Sequence, residues 1–227
     1  SSDLRSEPGP RGKSRRYARE DLVRLKARHD ARAGHGAVAA AALRWGEPVL
    51  ETRVGTLDAR GPVYRGVRAL DLAVAKSGYG RPLDAGWAYG VAVHESFGTV
   101  VAQVAEVGLV EGVPRVRRVV TAVDCGIAVA PNQIAAQMEG GTCYGLSAAL
   151  YGKITLKDGR VEQTNFDTYP VLRMNEAPVV ETHIVPSAST APSGIGDPGT
   201  PVIAPAVANA LLGLTGKATA KLPFVEA

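Results

Sequence analysis

The stretch GVAVHESFGTVVAQVAEVGLVEGVPRVRRVVTAV, Gly90 to Val123, decides the fold class. Val91, Val93, Thr99-Val100-Val101, Val104 to Val110 and Val116 to Val123 are β-branched runs, and Glu111-Gly112-Val113-Pro114 between the last two reads as a turn, so the segment predicts a β-hairpin. Upstream, Val63 to Lys76 has the spacing of an amphipathic helix with Val67, Leu70 and Val74 on one side and Gly78 at its end, and Gly80 to Gly86 reads as a linker. Downstream, Pro131 to Leu150 reads as a helix containing Gly140, Gly141 and Gly145. Glycine inside a helix costs about 1 kcal/mol relative to alanine, so three of them point to close approach by a ligand or by another backbone. Lys157-Asp158-Gly159 turns a short hairpin between Ile154–Leu156 and Val161–Gln163, Pro178 to Val185 reads as a strand, and Val202 to Leu214 as a last helix. Strands and helices alternate without a regular βαβ repeat, which predicts an α+β fold.

The 227 residues suffice for one large domain or two small ones. Charge is uneven: Ser1 to Gly34 carries ten Arg and Lys against five Asp and Glu, and the remainder 16 against 17. A boundary near Arg60-Gly61-Pro62 separates a basic, Ala/Gly-rich segment, 1–61, from a domain over 62–227. The basic segment reads as a solubilising lead-in. A nucleic-acid arm would be the other use of its charge, but no nucleic-acid module accompanies it and aromatic residues make up only 5%. No apolar run reaches the roughly 20 residues of a membrane span. Ser1 to Arg32 lacks a secretory pattern, so the chain as given is expected to be cytoplasmic.

Cys125 and Cys143 are the only cysteines, each in an apolar context that suggests a packed thiol, and the four histidines pair with no cysteine or carboxylate at ligand spacing. No protein-ligated metal is expected. Nucleophile elbows, Walker loops and dinucleotide fingerprints are also missing.

One loop stands out: Ser193-Gly194-Ile195-Gly196-Asp197-Pro198-Gly199-Thr200-Pro201. Its glycines let a ligand approach the main chain, and its prolines restrict movement. With Thr200 as cap, Pro201 in the first turn and Gly216 at the end, the last helix would put Asp197 near its N-terminus, a place that favours anions. Asp197 can be a general base there, or simply a turn-forming residue.

Three segments, Ala92–Val107 (AVHESFGTVVAQVAEV), Val123–Gly152 (VDCGIAVAPNQIAAQMEGGTCYGLSAALYG) and Thr155–Lys217 with its NFDTYPVLRMNEAP and GIGDPGTPVIAPAVANALLGLTGK strings, resemble the C-terminal part of the molybdopterin-binding large subunit of xanthine oxidase-type molybdenum hydroxylases. The isoquinoline 1-oxidoreductase β-subunit group, also described as aldehyde or nicotinate dehydrogenase-like, is the nearest. The likeness runs from about Tyr64 to the C-terminus and leaves 1–61 outside.

The resemblance implies water-dependent hydroxylation of an N-heterocycle or aldehyde on molybdopterin, in the plain or the cytosine dinucleotide form, with electrons leaving through iron–sulfur clusters on a small partner subunit. It implies Asp197 at the position of the family's glutamate base, Gln137 as a hydrogen-bond partner of the pterin, and Gly196 as a backbone position beside the metal. It also explains the lack of metal ligands, because the pterin dithiolene holds molybdenum in that family. His94, Glu95 and Glu139 are assigned packing or surface roles. Family large subunits are several times longer, so the fold should be an incomplete molybdopterin-binding domain that needs the N-terminal part of a large subunit to retain the cofactor. A full-length exported relative would work in the periplasm. The competing reading is an inactive remnant serving as an interaction module.

Overall fold

In the computed structural model residues 62–187, 191–219 and 221–225 are described. The basic helical stretch near Tyr17–Arg32 and the Ala-rich run Ala37–Leu43 lie outside them. The elements are α1 (Pro62–Ser77), β1 (Trp87–Ser96), β2 (Thr99–Val110), β3 (Val113–Asp124), α2 (Pro131–Tyr151), β4 (Leu156–Lys157), β5 (Arg160–Val161), β6 (Val179–Ile184) and α3 (Ile203–Thr215). Four strands form one sheet in the order β1-β2-β3-β6, and β4-β5 is a separate two-stranded hairpin. The α+β expectation holds.

Two tight turns build the meander. Phe97-Gly98 joins β1 to β2 and Glu111-Gly112 joins β2 to β3, and all four residues have positive φ, the backbone that matches strand twist in a two-residue hairpin. The second turn is therefore shorter than expected: Val113 and Pro114 belong to β3, with Pro114 opposite Leu109. Proline is tolerated there because β6, the other neighbour of β3, begins its pairing only at Arg118. That β6 pairing is parallel, reached through the long α2 crossover.

β2 is buried along Thr99–Gly108 on both faces, hence its unbroken apolar run in the sequence. One face packs on α1 through Ala69, Leu70 and Ala73, with Val91, Val100, Ala102 and Val104 opposite. The other packs on α2 and α3, where Ala105, Val107 and Val119 meet Leu146, Leu150, Ile203, Ala206 and Val207. Each buried Val or Leu contributes roughly 1.5–3 kcal/mol. α1 ends at Gly78, with φ +75, as expected.

Charge anchors the α1 face. A bulge between Glu106 and Val107 inserts Arg117, so that Arg117 and Arg118 both reach Glu106, at 2.8 and 3.0 Å. Arg118 also donates to the Ser77 carbonyl at 3.0 Å, satisfying an end-of-helix acceptor. At the other end of α1, Arg65 bonds the Gly98 carbonyl at 2.7 Å and the Asp124 carboxylate at 3.0 Å.

The last helix begins later than expected. α3 starts at Ile203 with Val202 as N-cap and no side-chain cap, so Thr200 is not the cap and Pro201 is not in the first helical turn. Thr200 instead closes a turn, its N–H donating to the Asp197 carbonyl at 2.9 Å. Gly216 ends the helix in the left-handed conformation, as expected.

Candidate active-site loop

The 191–200 segment is held from three sides. Gly126 bridges Pro192, the Ser193 N–H donates to the Cys125 carbonyl at 2.9 Å, and the Gly194 N–H donates to the Phe97 carbonyl at 3.3 Å. The Thr99 and Ser193 hydroxyls lie 2.6 Å apart. Arg65 and Asp124 brace this frame: the Asp124 carboxylate accepts from both Arg65 and the Gly126 N–H, at 3.0 and 3.1 Å. Burial pushes the Asp124 carboxyl upward, but Arg65, Gly126 and Ser187 outweigh it and hold the group below its ordinary value.

The glycines of α2 divide into two kinds. A Cβ on Gly145 would lie 2.2 Å from the Thr200 carbonyl oxygen, and one on Gly141 3.3 Å from the Thr200 hydroxyl. These two admit the backbone of the loop. Gly140 faces open space, with no atom within 4 Å of an added Cβ. Close approach by another backbone thus accounts for Gly141 and Gly145, and not for Gly140.

Gln137 and Gly196 meet. The Gln137 side chain donates from Nε2 to the Gly196 carbonyl at 2.7 Å. A carbonyl can only accept, so this bond fixes the amide orientation and leaves Oε1 as an acceptor at an exposed position. Gly196 has nothing within 4 Å of an added Cβ. Asp197 is next in sequence and exposed. Among the described residues its carboxylate has no hydrogen-bond or ion-pair partner, and the helix of α3 starts six residues beyond it. The sequence-assigned trio of Gln137, Gly196 and Asp197 therefore shares one stretch of surface, although Asp197 is not at a helix cap.

His94 is half-buried on β1, Glu95 and Glu139 are exposed, and none of them reaches the trio by a hydrogen bond. Both cysteines are free. Burial pushes both thiols up, with Glu139 adding to the effect at Cys143, so they stay protonated. No cluster of three His, Cys, Asp or Glu exists among the described residues, and no helix among them is long and apolar enough to cross a membrane. A groove of about 360 Å³ lined by Leu109, Pro114, Leu211 and Phe224 involves none of the trio.

The sequence reading singled out neither Arg65 and Asp124 nor the buried Gln103, which contacts Thr121, Thr142 and Gly199 beneath the loop. The available signal was position: Gln103 is the one long amide inside the β-branched run of β2, and Asp124 ends β3 beside Gly126.

Residues 21–178 match the molybdopterin cofactor-binding domain family. The match starts upstream of the boundary drawn at residue 61 and stops before Asp197. The isoquinoline 1-oxidoreductase β-subunit of Brevundimonas diminuta is 37% identical over 141 residues, covering 61% of this chain and 18% of that protein. The membrane-bound aldehyde dehydrogenase (pyrroloquinoline-quinone) of Gluconacetobacter polyoxogenes is 34% identical over 112 residues, covering 49% and 14%. Among solved structures, quinoline 2-oxidoreductase from Pseudomonas putida 86 aligns with a TM-score of 0.49 at 19% identity, covering 56% of this chain and 17% of that one. The chain spans less than a fifth of each of these proteins. Because the family match takes in well over half of its 227 residues, the chain belongs to the molybdopterin cofactor-binding domain family.

Proposed function

We propose that this chain supplies one wall of the cofactor site of a molybdenum hydroxylase that oxidises an N-heterocycle or aldehyde with oxygen from water, passing electrons to an iron–sulfur partner subunit. The observation that carries the reading is the Gln137–Gly196 hydrogen bond, which joins two residues picked independently of any geometry and leaves Asp197 beside them. The local chemistry fits a pterin: Gln137 Oε1 is an outward acceptor for a ring or amino N–H, and Gly140 and Gly196 present side-chain-free surface. Thiolate or imidazole ligands are not needed from the protein, because the pterin carries the metal. When bound, the molybdenum cofactor would supply the two-electron redox step and the oxygen transfer.

The chain's own residues would do the rest. Gln137 would hold and orient the pterin, the Gly196 peptide would approach it closely, and Asp197 would take a proton as general base. An aspartate reaches less far than a glutamate by about 1.5 Å, the length of one C–C bond, and an error of about 1 Å can cost roughly 100-fold in rate. Asp197 would then be a slow base or act through a bridging water. The N-terminal part of a large subunit would close the other side of the cofactor, and the 62–227 segment would fold as the unit that docks with it.

A second reading is favoured by the same aspartate: a catalytically silent relative that folds and interacts without turnover. Co-expression with the N-terminal part of a family large subunit and a small iron–sulfur subunit separates the two. The Asp197→Glu variant of that assembly should gain about 10- to 100-fold in oxidation of a heterocycle or aldehyde. Absent turnover in both forms, with molybdenum bound, would favour the silent relative.

A further inference from the structure

Gln103 is fully buried on β2 among valines and alanines, where an aliphatic chain would pack as well. Its amide has a fixed orientation. The Thr142 hydroxyl donates to the Met138 carbonyl at 2.7 Å, so it must accept from its other neighbour, and the Gln103 atom 2.8 Å away is the N–H₂ end. The second N–H lies between the Thr121 hydroxyl at 3.3 Å and the Gly199 carbonyl at 3.4 Å. Oε1 is buried and has no partner. An unsatisfied buried amide oxygen costs free energy, so the contribution of this side chain must come from the bonds its nitrogen donates.

Gly199 is the recipient that matters for the site. It is buried against Met138, whose Sδ would lie 3.2 Å from an added Cβ, and it is the third residue of the turn closed by the Thr200 N–H on the Asp197 carbonyl. Asp197 itself is exposed and its carboxylate is untethered among the described residues. The backbone of this turn therefore sets where the Asp197 side chain leaves the main chain, while the Gly196 carbonyl before it is held from the other side by Gln137 at 2.7 Å. From below, the turn is gripped at the Gly199 carbonyl.

We propose that Gln103 is a positioning residue: through its amide, clamped by Thr142, it fixes the Gly199 peptide and with it the turn that presents Gly196 and Asp197. Its importance for chemistry rests on the molybdopterin reading above, but the grip on the loop does not.

The test compares amide hydrogen exchange in the full chain for the wild type, Gln103→Met, Thr142→Val and Thr142→Ser. Gln103→Met keeps side-chain length and removes both donors; Thr142→Val removes the clamp, and Thr142→Ser retains its hydroxyl. Exchange at the Thr200 N–H should accelerate at least about 10-fold in Gln103→Met and Thr142→Val. The β1–β2 amides should change by no more than the denaturant midpoint of the same variant requires, and Thr142→Ser should keep the wild-type loop. Equal acceleration in the loop and the strands would make Gln103 a core-stability residue only and overturn the proposal, as would an unchanged loop. If Gln103→Met does not fold, the Thr142→Val and Thr142→Ser pair decides by the same criterion. Since exchange needs no cofactor, a loosened loop in a chain that never acquires molybdenum with its partners would support the positioning role while removing the proposed function.

Discussion

Both faces of the sheet pack their helices on apolar side chains, but the contacts added to that packing differ. On the α1 face, guanidinium groups reach across: Arg65 to Asp124 and Gly98, Arg118 to Glu106, Glu181 and Ser77. On the α2/α3 face the attachment is steric. A Cβ on Gly90 would sit 1.9 Å from the Ala206 carbonyl oxygen, and one on Gly145 2.2 Å from that of Thr200. Charge tolerates small shifts and can be replaced by other polar contacts, whereas backbone-to-backbone packing admits one residue type. The candidate loop depends on both, since it rests on α2 and is braced through Asp124.

The charged face breaks hardest at its most buried pair. Arg65→Met leaves the Asp124 carboxylate, only 1% exposed, without its cation, and should cost roughly 3 kcal/mol in denaturant unfolding. A loss under about 1 kcal/mol, the range of an exposed pair, would mean that the Gly126 and Ser187 contacts suffice. On the steric face, Gly145→Ala should cost about 1–3 kcal/mol as Thr200 is pushed outward. Gly140→Ala, five residues earlier on the same helix with open space around it, should stabilise by up to about 1 kcal/mol through helix propensity. If both changes stabilise, the close approach of α2 to the loop is wrong.

These two faces also mark what could be read in advance. β2, β3, α1 and α2 follow from β-branched runs, helical spacing and turn chemistry, all of which are local. The start of α3 did not follow, because Thr200 has the capping residue type but closes a turn on Asp197 instead, a choice set by packing on Gly141 and Gly145. The resemblance picked out Gln137, Gly196 and Asp197 as expected site residues, and the bond between Gln137 and Gly196 forms only when the loop folds onto α2. Gln103 and the Arg65–Asp124 pair were invisible because their partners lie 18 to 96 residues away in sequence.

The smallest expected effect is a titration on the charged face. His183 faces Lys76, Arg118 and Glu181, and its pKa is lowered from 6.5 by burial first and then by Lys76 and Arg118, against the opposing pull of Glu181. A base with a depressed folded-state pKa binds fewer protons than the unfolded chain, so stability should fall as pH drops through the ordinary histidine range. Denaturant midpoints at about pH 7.5 and about pH 5.5 should differ in that sense for the wild type, and His183→Gln should reduce the difference. An identical difference in the variant would assign it to other groups.

Molybdenum content is the most direct test of the central claim. The chain should be co-expressed with the N-terminal part of a family large subunit and a small iron–sulfur subunit, and the purified assembly analysed for metal beside its Gln137→Ala counterpart. The wild type should carry molybdenum near one per assembly, and Gln137→Ala should lose it several-fold with the assembly intact. An intact wild-type assembly without molybdenum, or a variant that keeps its full complement, would contradict the claim.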